Sequence, residues 1–335
     1  MELSARTVTL ELAETFRIAR ESQDTVEVVE VEIRHDGLAG FGEATPIDHY
    51  GESAASALDW LQEAGAQLGD DPWALDEIHA RLPAEQQAAR AAVDAALLDL
   101  CAKRAGVPLH RLLGFRASGP PTSLTIWLGD PDDMARRAEA GADRFHRLKL
   151  KLGGRDGLDV DRVRSVRSVT ELPLQVDVNE YWSKEEALDA LPRLAELGVE
   201  YCEQPLPAGD PAGAELRRAS PIPIFVDEDC HTLADVAGCA DRAHGVNIKL
   251  AKSGGVREAL RMVAAARALG LGVMLGCMVE SGLGIAPAVH IASLFDHVDL
   301  DGNLLLREDP WPGVQFEDGV QRPSERPGLG VIRRA

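Results

Sequence analysis

The segments RLKLKLGG (147–154), LPLQVDVNEYW (172–182), GVEYCEQPL (198–206), IPIFVDED (222–229) and HGVNIKLAKSGG (244–255) share one design, a short apolar run that closes on a charged residue. The closing residues are Lys151, Asp177, Glu203, Asp227 and Lys249, at intervals of 26, 26, 24 and 22 residues. One strand, a turn and one helix fill about that length, so the interval is that of a repeated βα unit. TSLTIWLG (122–129) before them, and GLGVMLGCMVESG (270–282) and HVDLDGNLLL (297–306) after them, bring the strand-like runs to eight. Helical stretches open between them with DPDDM at 130, DVDRV at 159, SKEEA at 183, DPAGA at 210, HTLAD at 231, GVREA at 255 and SGLGI at 281. Eight strands alternating with seven helices predict an α/β fold, a (β/α)7β modified TIM barrel, in which reactive side chains come from the C-terminal ends of several strands.

The charges lie where that architecture places chemistry. Lys149 and Lys151, Asp177 and Asn179, Asp227 and Asp229, and Asp299 and Asp301 are each two apart, so each pair points to one side of its strand. A solvated loop start explains any one such residue, but not five successive units. Lysine is scarce, at positions 103, 149, 151, 184, 249 and 252 only, and four of the six fall in two motifs. Arginine stays protonated in proteins, whereas a desolvated lysine beside other cations can be tuned to accept a proton. Lys149 beside Lys151, and Lys252 near Lys249, supply such neighbours. Asp177, Glu203 and Asp227 between the amines read as an oxygen-only cage for a hard cation, Mg²⁺ rather than Zn²⁺, because no His or Cys joins the set at a strand end. A carboxylate substrate held there, with a lysine on each face, can lose the proton from its adjacent carbon. The structural alternative is a buried ion-pair network without metal.

The motifs KLKLGG, VDVNEYW, EQPLP, VDED and NIKLAKSGG resemble those of the enolase superfamily, in its subgroup of muconate cycloisomerase type, and VDLDG resembles the Asp-x-Asp signature of its dipeptide epimerases. The resemblance spans nearly the whole chain, including FGEATPIDHYGES (41–53) and GCMVES (276–281). It implies that Lys151 and Lys249 are the two acid/base residues, that Asp177, Glu203 and Asp227 bind Mg²⁺, and that Asp299 and Asp301 hold a substrate ammonium group. Lys149, Lys252 and, from covering loops, Arg20 and Asp48 complete the expected substrate-binding set. The turn SGG (253–255) could cradle a phosphate at a helix start, but the family places a substrate carboxylate beside it. Asp229 stands where the family commonly has a small hydroxyl residue. It is open to three readings: a ligand through water, a partner for a lysine, or a shifted ligand set.

Outside the barrel, TVTLEL (7–12) and TVEVVEVEI (within 25–34) alternate as strands, and Asp36-Gly37 turns the chain into a third, LAGFGEA (38–44). Between the first two, TFRIARESQDT (15–25) reads as a polar loop, where the resemblance implies a substrate-covering segment, and Asp48, His49 and Tyr50 sit in a second such loop. His49 reads first as a surface residue. Helical periodicity runs from Glu52 to about Gly106. Strands followed by helices mark an N-terminal α+β capping domain over residues 1–118, with SGPP (118–121) as linker and the barrel over 119–310. The segment after Pro310 is expected to return to the cap.

At 335 residues and 45% hydrophobic content, the chain can bury a large core. Its net charge of −20 argues against nucleic acid and acidic membrane surfaces. No apolar run approaches the roughly 18 residues of a membrane helix, and there is no basic-then-apolar leader pattern, so a cytoplasmic protein is expected. Five scattered cysteines without a CxxC fit a reduced compartment; of these Cys202, Cys230 and Cys277 lie near strand ends. The site motifs and the resemblance together imply a Mg²⁺-dependent dipeptide epimerase, and the mixed charges of Arg17, Arg20, Glu21 and Asp48 in its loops favour neither acidic nor basic side chains. L-Ala-D/L-Glu dipeptides of peptidoglycan turnover are the leading substrates, and a homo-oligomer is expected. Alternatives are o-succinylbenzoate synthesis, N-acylamino acid racemisation or muconate cycloisomerisation, whose substrates lack the free ammonium that Asp299 and Asp301 suit. A barrel that binds an anionic small molecule without turnover is the reading of another class.

Overall fold

In a computed structural model, residues 1–334 are described. The chain opens with an antiparallel sheet of β1 (Glu2–Arg17), β2 (Ser22–His35) and β3 (Leu38–Ala44), in that order. The tight turn between β2 and β3 rests on Asp36 and Gly37, both at positive φ (47° and 77°), as a two-residue hairpin turn requires. Helix α1 (Ala54–Gly65) starts at a capping box between Ser53 and Ser56, and α3 (Gln87–Ala105) ends on left-handed Gly106, with α2 (Leu75–Arg81) between them. The glycines of LAGFG let α3 lie against β3: a Cβ on Gly40 or Gly42 would stand 2.0 Å from the carbonyl oxygen of Ala96 or Ala92. The alanine-rich sequence of α3 is the other half of that close approach.

The expected loop over 15–25 is for the most part strand. Phe16 pairs with Gln23 and Arg17 with Ser22, so only residues 18–21 turn. A two-stranded ribbon needs no apolar face where it projects, which hid this strand from a hydrophobic pattern. The ribbon lies along the barrel: Leu12 bridges Leu306, Arg307 N donates to Glu11 O, and Leu128 N donates to Arg17 O.

The barrel strands are β4 (Leu124–Ile126), β5 (Leu148–Lys151), β6 (Leu174–Asp177), β7 (Val199–Glu203), β8 (Ile224–Val226), β9 (Gly245–Lys249), β10 (Gly272–Gly276) and β11 (His297–Asp299). They pair in parallel in sequence order, and the Thr122–Val298 bridge closes the ring. Helices Pro131–Gly141, Asp159–Arg167, Lys184–Glu196, Gly213–Ala219, Leu233–Cys239, Val256–Ala268 and Gly282–Ile291 cover the outside, and a single turn, Leu250–Ser253, follows β9. Val, Leu and Ile from the strands' outward faces pack with those helices in two buried clusters, one on either side of the ring. Inside, Tyr201, Phe225 and Met274 fill the floor, and Tyr201 OH donates to Gln175 Oε1 at 3.0 Å. After β11 the chain runs back to the cap, where Leu109 N donates to Gly328 O and Leu329 N to Asp99 Oδ1. No helix among the described residues is long and apolar enough to cross a membrane.

Candidate active site

Strand register sets the site. Lys151 pairs with Asp177 and Asp177 with Glu203, while Lys249 and Asp299 both pair with Gly276, so these ends lie at one level around the ring. A cavity of about 290 Å³ opens above them, between the strand ends and the ribbon of β1 and β2. Lys149, Lys151, Lys249, Asp299 and Asp301 line its floor, and Thr125, Asn179 and Cys277 join them. The apolar wall includes Phe16, Val26, Val279 and Leu305.

Lys149 sits at the centre, 1% exposed, with its ammonium 3.0 Å from Asp177, 2.7 Å from Glu203 and 2.8 Å from Asp299. Lys151 donates to Asp177 Oδ2 at 2.7 Å and to Asn179 Oδ1 at 3.3 Å. Across the ring, Lys249 lies 2.7 Å from Asp227 Oδ2. β5 and β9 are four strands apart in a ring of eight, so Lys151 and Lys249 face each other across the cavity.

Burial disfavours charge at this site; charged neighbours outweigh it at Asp177, Asp227, Lys149 and Lys249, and do not at Glu203 and Asp301. Burial would raise Asp177, but Lys149 and Lys151 hold it below the usual carboxylate range. Asp227 is likewise held far down, by Lys249 and Lys252 against burial. Glu203 is pushed up by burial and by Asp177. Burial would lower Lys249, yet Asp227, Tyr50 and Glu203 hold it above the ordinary lysine range, and carboxylates do the same for Lys149. At Lys149 and Lys249 the carboxylates thus outweigh the neighbouring cations and favour the charged ammonium. Burial and Asp299 raise Asp301 to about 7.

Asp177, Glu203 and Asp227 offer only carboxylate oxygens from three consecutive strand ends, the donor set of a hard divalent cation. Glu203 Oε2 and Asp227 Oδ2 are buried without a well-directed hydrogen bond, although an ammonium lies 2.7 Å from each. Lysine ammoniums stand among the carboxylates, and among the described residues no three acidic, His or Cys groups are drawn together closely enough to hold a metal ion as they stand. The donor set fits a magnesium-like ion.

Several expected residues take other places. Lys252 has no exposed side chain; it lies beneath Asp227 and donates to its carboxylate and its carbonyl at 2.5 Å, so it braces Asp227 and does not reach the cavity. Arg20 lines the cavity but is taken up by Glu180 at 3.1 Å and Glu228 at 2.7 Å. Asp48 stands exposed at the mouth. Asp229 turns from the metal-ligand set and accepts from Gln204 and Gly209 N, with Arg242 at 3.3 Å, so its cation partner is an arginine and not the lysine that one of its readings called for. Asp301 lies beyond the last ladder residue of β11, where its carboxylate accepts from Thr125 N at 2.7 Å. Cys277 meets the cavity, but burial holds its thiol far above the reactive range. Cys202 and Cys230 are buried. Sequence reasoning missed Asn247, which donates to Glu203 Oε1 at 2.7 Å. Its position two residues before Lys249 was the available signal. It also missed Glu228, which burial and Asp227 raise to about 7.

Residues 133–333 match the enolase C-terminal domain-like family, and residues 1–114 match the mandelate racemase / muconate lactonizing enzyme N-terminal domain. The chain is 38% identical over 330 residues to an L-Ala-D/L-Glu epimerase of Bacteroides thetaiotaomicron, covering 97% of this chain and 86% of that protein. A substrate-liganded L-Ala-D/L-Glu epimerase from Bacillus subtilis has the same fold, with a TM-score of 0.95, 31% identity and 100% of both chains covered. A dipeptide epimerase from Enterococcus faecalis, complexed with Mg and L-Leu-L-Tyr, also gives a TM-score of 0.95 at 31% identity over 98% of each chain. With both domains matched and a relative at that identity aligned over nearly all its length, the chain belongs to the mandelate racemase / muconate lactonizing enzyme family, with an enolase C-terminal domain-like barrel.

Proposed function

We propose that this chain is a Mg²⁺-dependent dipeptide epimerase that inverts the α-carbon of the substrate's C-terminal residue by two-lysine proton transfer. The observation that carries the reading is the placement of Lys151 and Lys249 on opposite sides of one cavity, with carboxylates of three intervening strands between them. Inversion needs an acid on one face of the α-carbon and a base on the other. A binder without turnover has no use for two opposed amines that share a floor.

Asp177, Glu203 and Asp227 would hold the ion, with Asn247 orienting Glu203 and Lys252 orienting Asp227. When bound, Mg²⁺ supplies positive charge for the substrate carboxylate while negative charge develops at the α-carbon. Lys151 and Lys249 then exchange a proton with that carbon, one from each side, and Asn179 keeps Lys151 directed. Asp299 and Asp301 would receive the substrate ammonium: Asp299 Oδ1 is buried in the floor with no partner. The cap excludes water through the ribbon over the mouth.

Dipeptides of L-Ala-D/L-Glu type are the leading substrates, supported by the relatives named above. We further propose a role in peptidoglycan turnover, a cytoplasmic location and a homo-oligomeric state. Racemisation of N-acylated amino acids, o-succinylbenzoate synthesis and muconate cycloisomerisation fit less well, since none offers a cation to the acidic pair. Incubating the protein with Mg²⁺ and a dipeptide library in D₂O tests the proposal. Epimerised dipeptides should gain one mass unit; a library without exchange would leave the binding-barrel reading.

A further inference from the structure

One carboxylate outside the chemistry gathers groups from both covering segments. Asn179 and Glu180 follow β6 with left-handed backbone, φ 49° and 76°, which non-glycine residues seldom adopt. This turn places Glu180 at the seam between barrel and cap. Its Oε2 accepts from Arg20 Nη1 at 3.1 Å and meets His49 Nε2 at 2.9 Å, and its Oε1 accepts from Ala208 N at 2.8 Å. Arg20 belongs to the turn between β1 and β2, His49 to the 3₁₀ turn Asp48–Tyr50, and Ala208 to the segment after β7. The side chain is only 15% exposed, so its charge is shielded from bulk water. A single side chain thus joins the two cap segments that roof the cavity to two neighbouring barrel loops. Arg20's other branch, on Glu228, reinforces the same seam.

We propose that Glu180 is a positioning residue, a latch that holds both covering segments over the cavity, and that Arg20 is its strap and not a contact for the substrate's side chain. The assay, though not the latch itself, rests on the epimerase reading. A site that is covered only part of the time binds with an affinity reduced by that fraction. Loosening the latch therefore raises KM, while saturating substrate, which itself favours closure, leaves kcat nearly unchanged.

The test compares wild type with Glu180→Gln on L-Ala-L-Glu and L-Ala-L-Leu, with trypsin cleavage after Arg17 and Arg20 as a second readout. Two charge-assisted hydrogen bonds weaken, so KM should rise about tenfold for both substrates with kcat within about threefold. Cleavage of the ribbon turn should accelerate by a similar factor at an unchanged Tm. His49→Ala, at a side chain 40% exposed, removes one tie without burying a gap and should shift both readouts part of the way. Unchanged cleavage and KM in both variants would overturn the latch. A loss confined to L-Ala-L-Glu would also overturn it, because it would assign Arg20 to the substrate carboxylate. If wild type epimerises no dipeptide, the epimerase reading fails, and the cleavage rates still decide the latch.

Discussion

Replacing Asp301 by Asn removes a charge and little else. The amide is isosteric, and its oxygen can still accept from Thr125 N, which Asp301 Oδ2 now does at 2.7 Å. The side chain is 3% exposed, beside Asp299, and burial with that neighbour raises its carboxyl to about 7. A substrate ammonium would face the acidic pair. A hydrogen bond to a charged group contributes roughly 1.5–3 kcal/mol, and each 1.36 kcal/mol is a factor of ten, so kcat/KM for a free dipeptide should fall about ten- to a hundredfold. The pH profile carries the sign. A carboxyl raised to about 7 is ionised above that pH and neutral below it. Wild-type kcat/KM for a free dipeptide should therefore decline as pH falls through about 7, and Asp301→Asn should flatten that limb. Measuring both proteins from pH 6 to 9, on L-Ala-L-Glu and its N-acetyl derivative, checks the reasoning. The N-acetyl compound lacks the ammonium and should lose much less. Equal losses on the two substrates, with the acid limb intact in the variant, would remove Asp301 from ammonium binding and favour the N-acylamino acid racemase alternative.

Lys151→Ala and Lys249→Ala should each abolish epimerisation, yet each should retain deuterium exchange for one substrate stereoisomer, read by mass spectrometry; near-full epimerisation by either variant would exclude its lysine from the reaction. Chelation should silence the enzyme and Mg²⁺ restore it, and Glu203→Gln should weaken metal binding measured by titration calorimetry as well as turnover. His290 makes a separate prediction about stability. Its Nδ1 accepts from His110 N at 3.0 Å, which fixes the proton on Nε2, facing Leu329 O at 3.2 Å, and burial lowers its pKa to about 4. The unfolded chain binds that proton near the ordinary value of about 6.5, so this group's contribution is complete above that pH and is lost as pH falls toward 4, roughly 3 kcal/mol in all. Urea unfolding between pH 4 and 7 should show a steeper acid loss in wild type than in His290→Gln; parallel curves would contradict the assignment.

The barrel was legible because its repeat carries chemistry at a fixed place. Lys151, Asp177, Glu203, Asp227 and Lys249 could be placed from spacing alone, since a parallel strand ends in register with its neighbours. The rule that residues two apart share a side served Lys149 and Lys151 well and failed where the strand stops. Asp229 lies past the end of β8 at Val226, and the chain has already turned there, so its carboxylate meets Gln204 and Arg242. Lys252 failed for a related reason: it sits in the single helical turn after β9, which carries it under Asp227. The covering ribbon was misread because its polar strands have no buried face over residues 13–17 to set a period. Glu180 was invisible because its role follows from two left-handed residues, and no sequence pattern announces a left-handed glutamate.

The buried charges also bear on why this fold keeps them. Lys149, Asp177, Glu203 and Asp227 are each at most 1% exposed, and Asp299 is 6% exposed. Removing an ion from water costs several kcal/mol even in a relaxed protein interior, and ion pairs seldom return more than that. Apolar residues at the same positions would leave a ring no less stable, since the Val, Leu and Ile clusters outside the strands already bind the helices to it. The floor beneath shows the apolar solution within the same barrel, with Tyr201, Phe225 and Met274 packed one layer below. Stability therefore does not account for a charged layer directly above an apolar one. The difference between the two layers is access: the upper one borders the cavity, where a cation and a zwitterion can complete its pairing, and the lower one meets only side chains. In this barrel the switch from apolar to ionic packing along each strand marks where folding ends and binding begins.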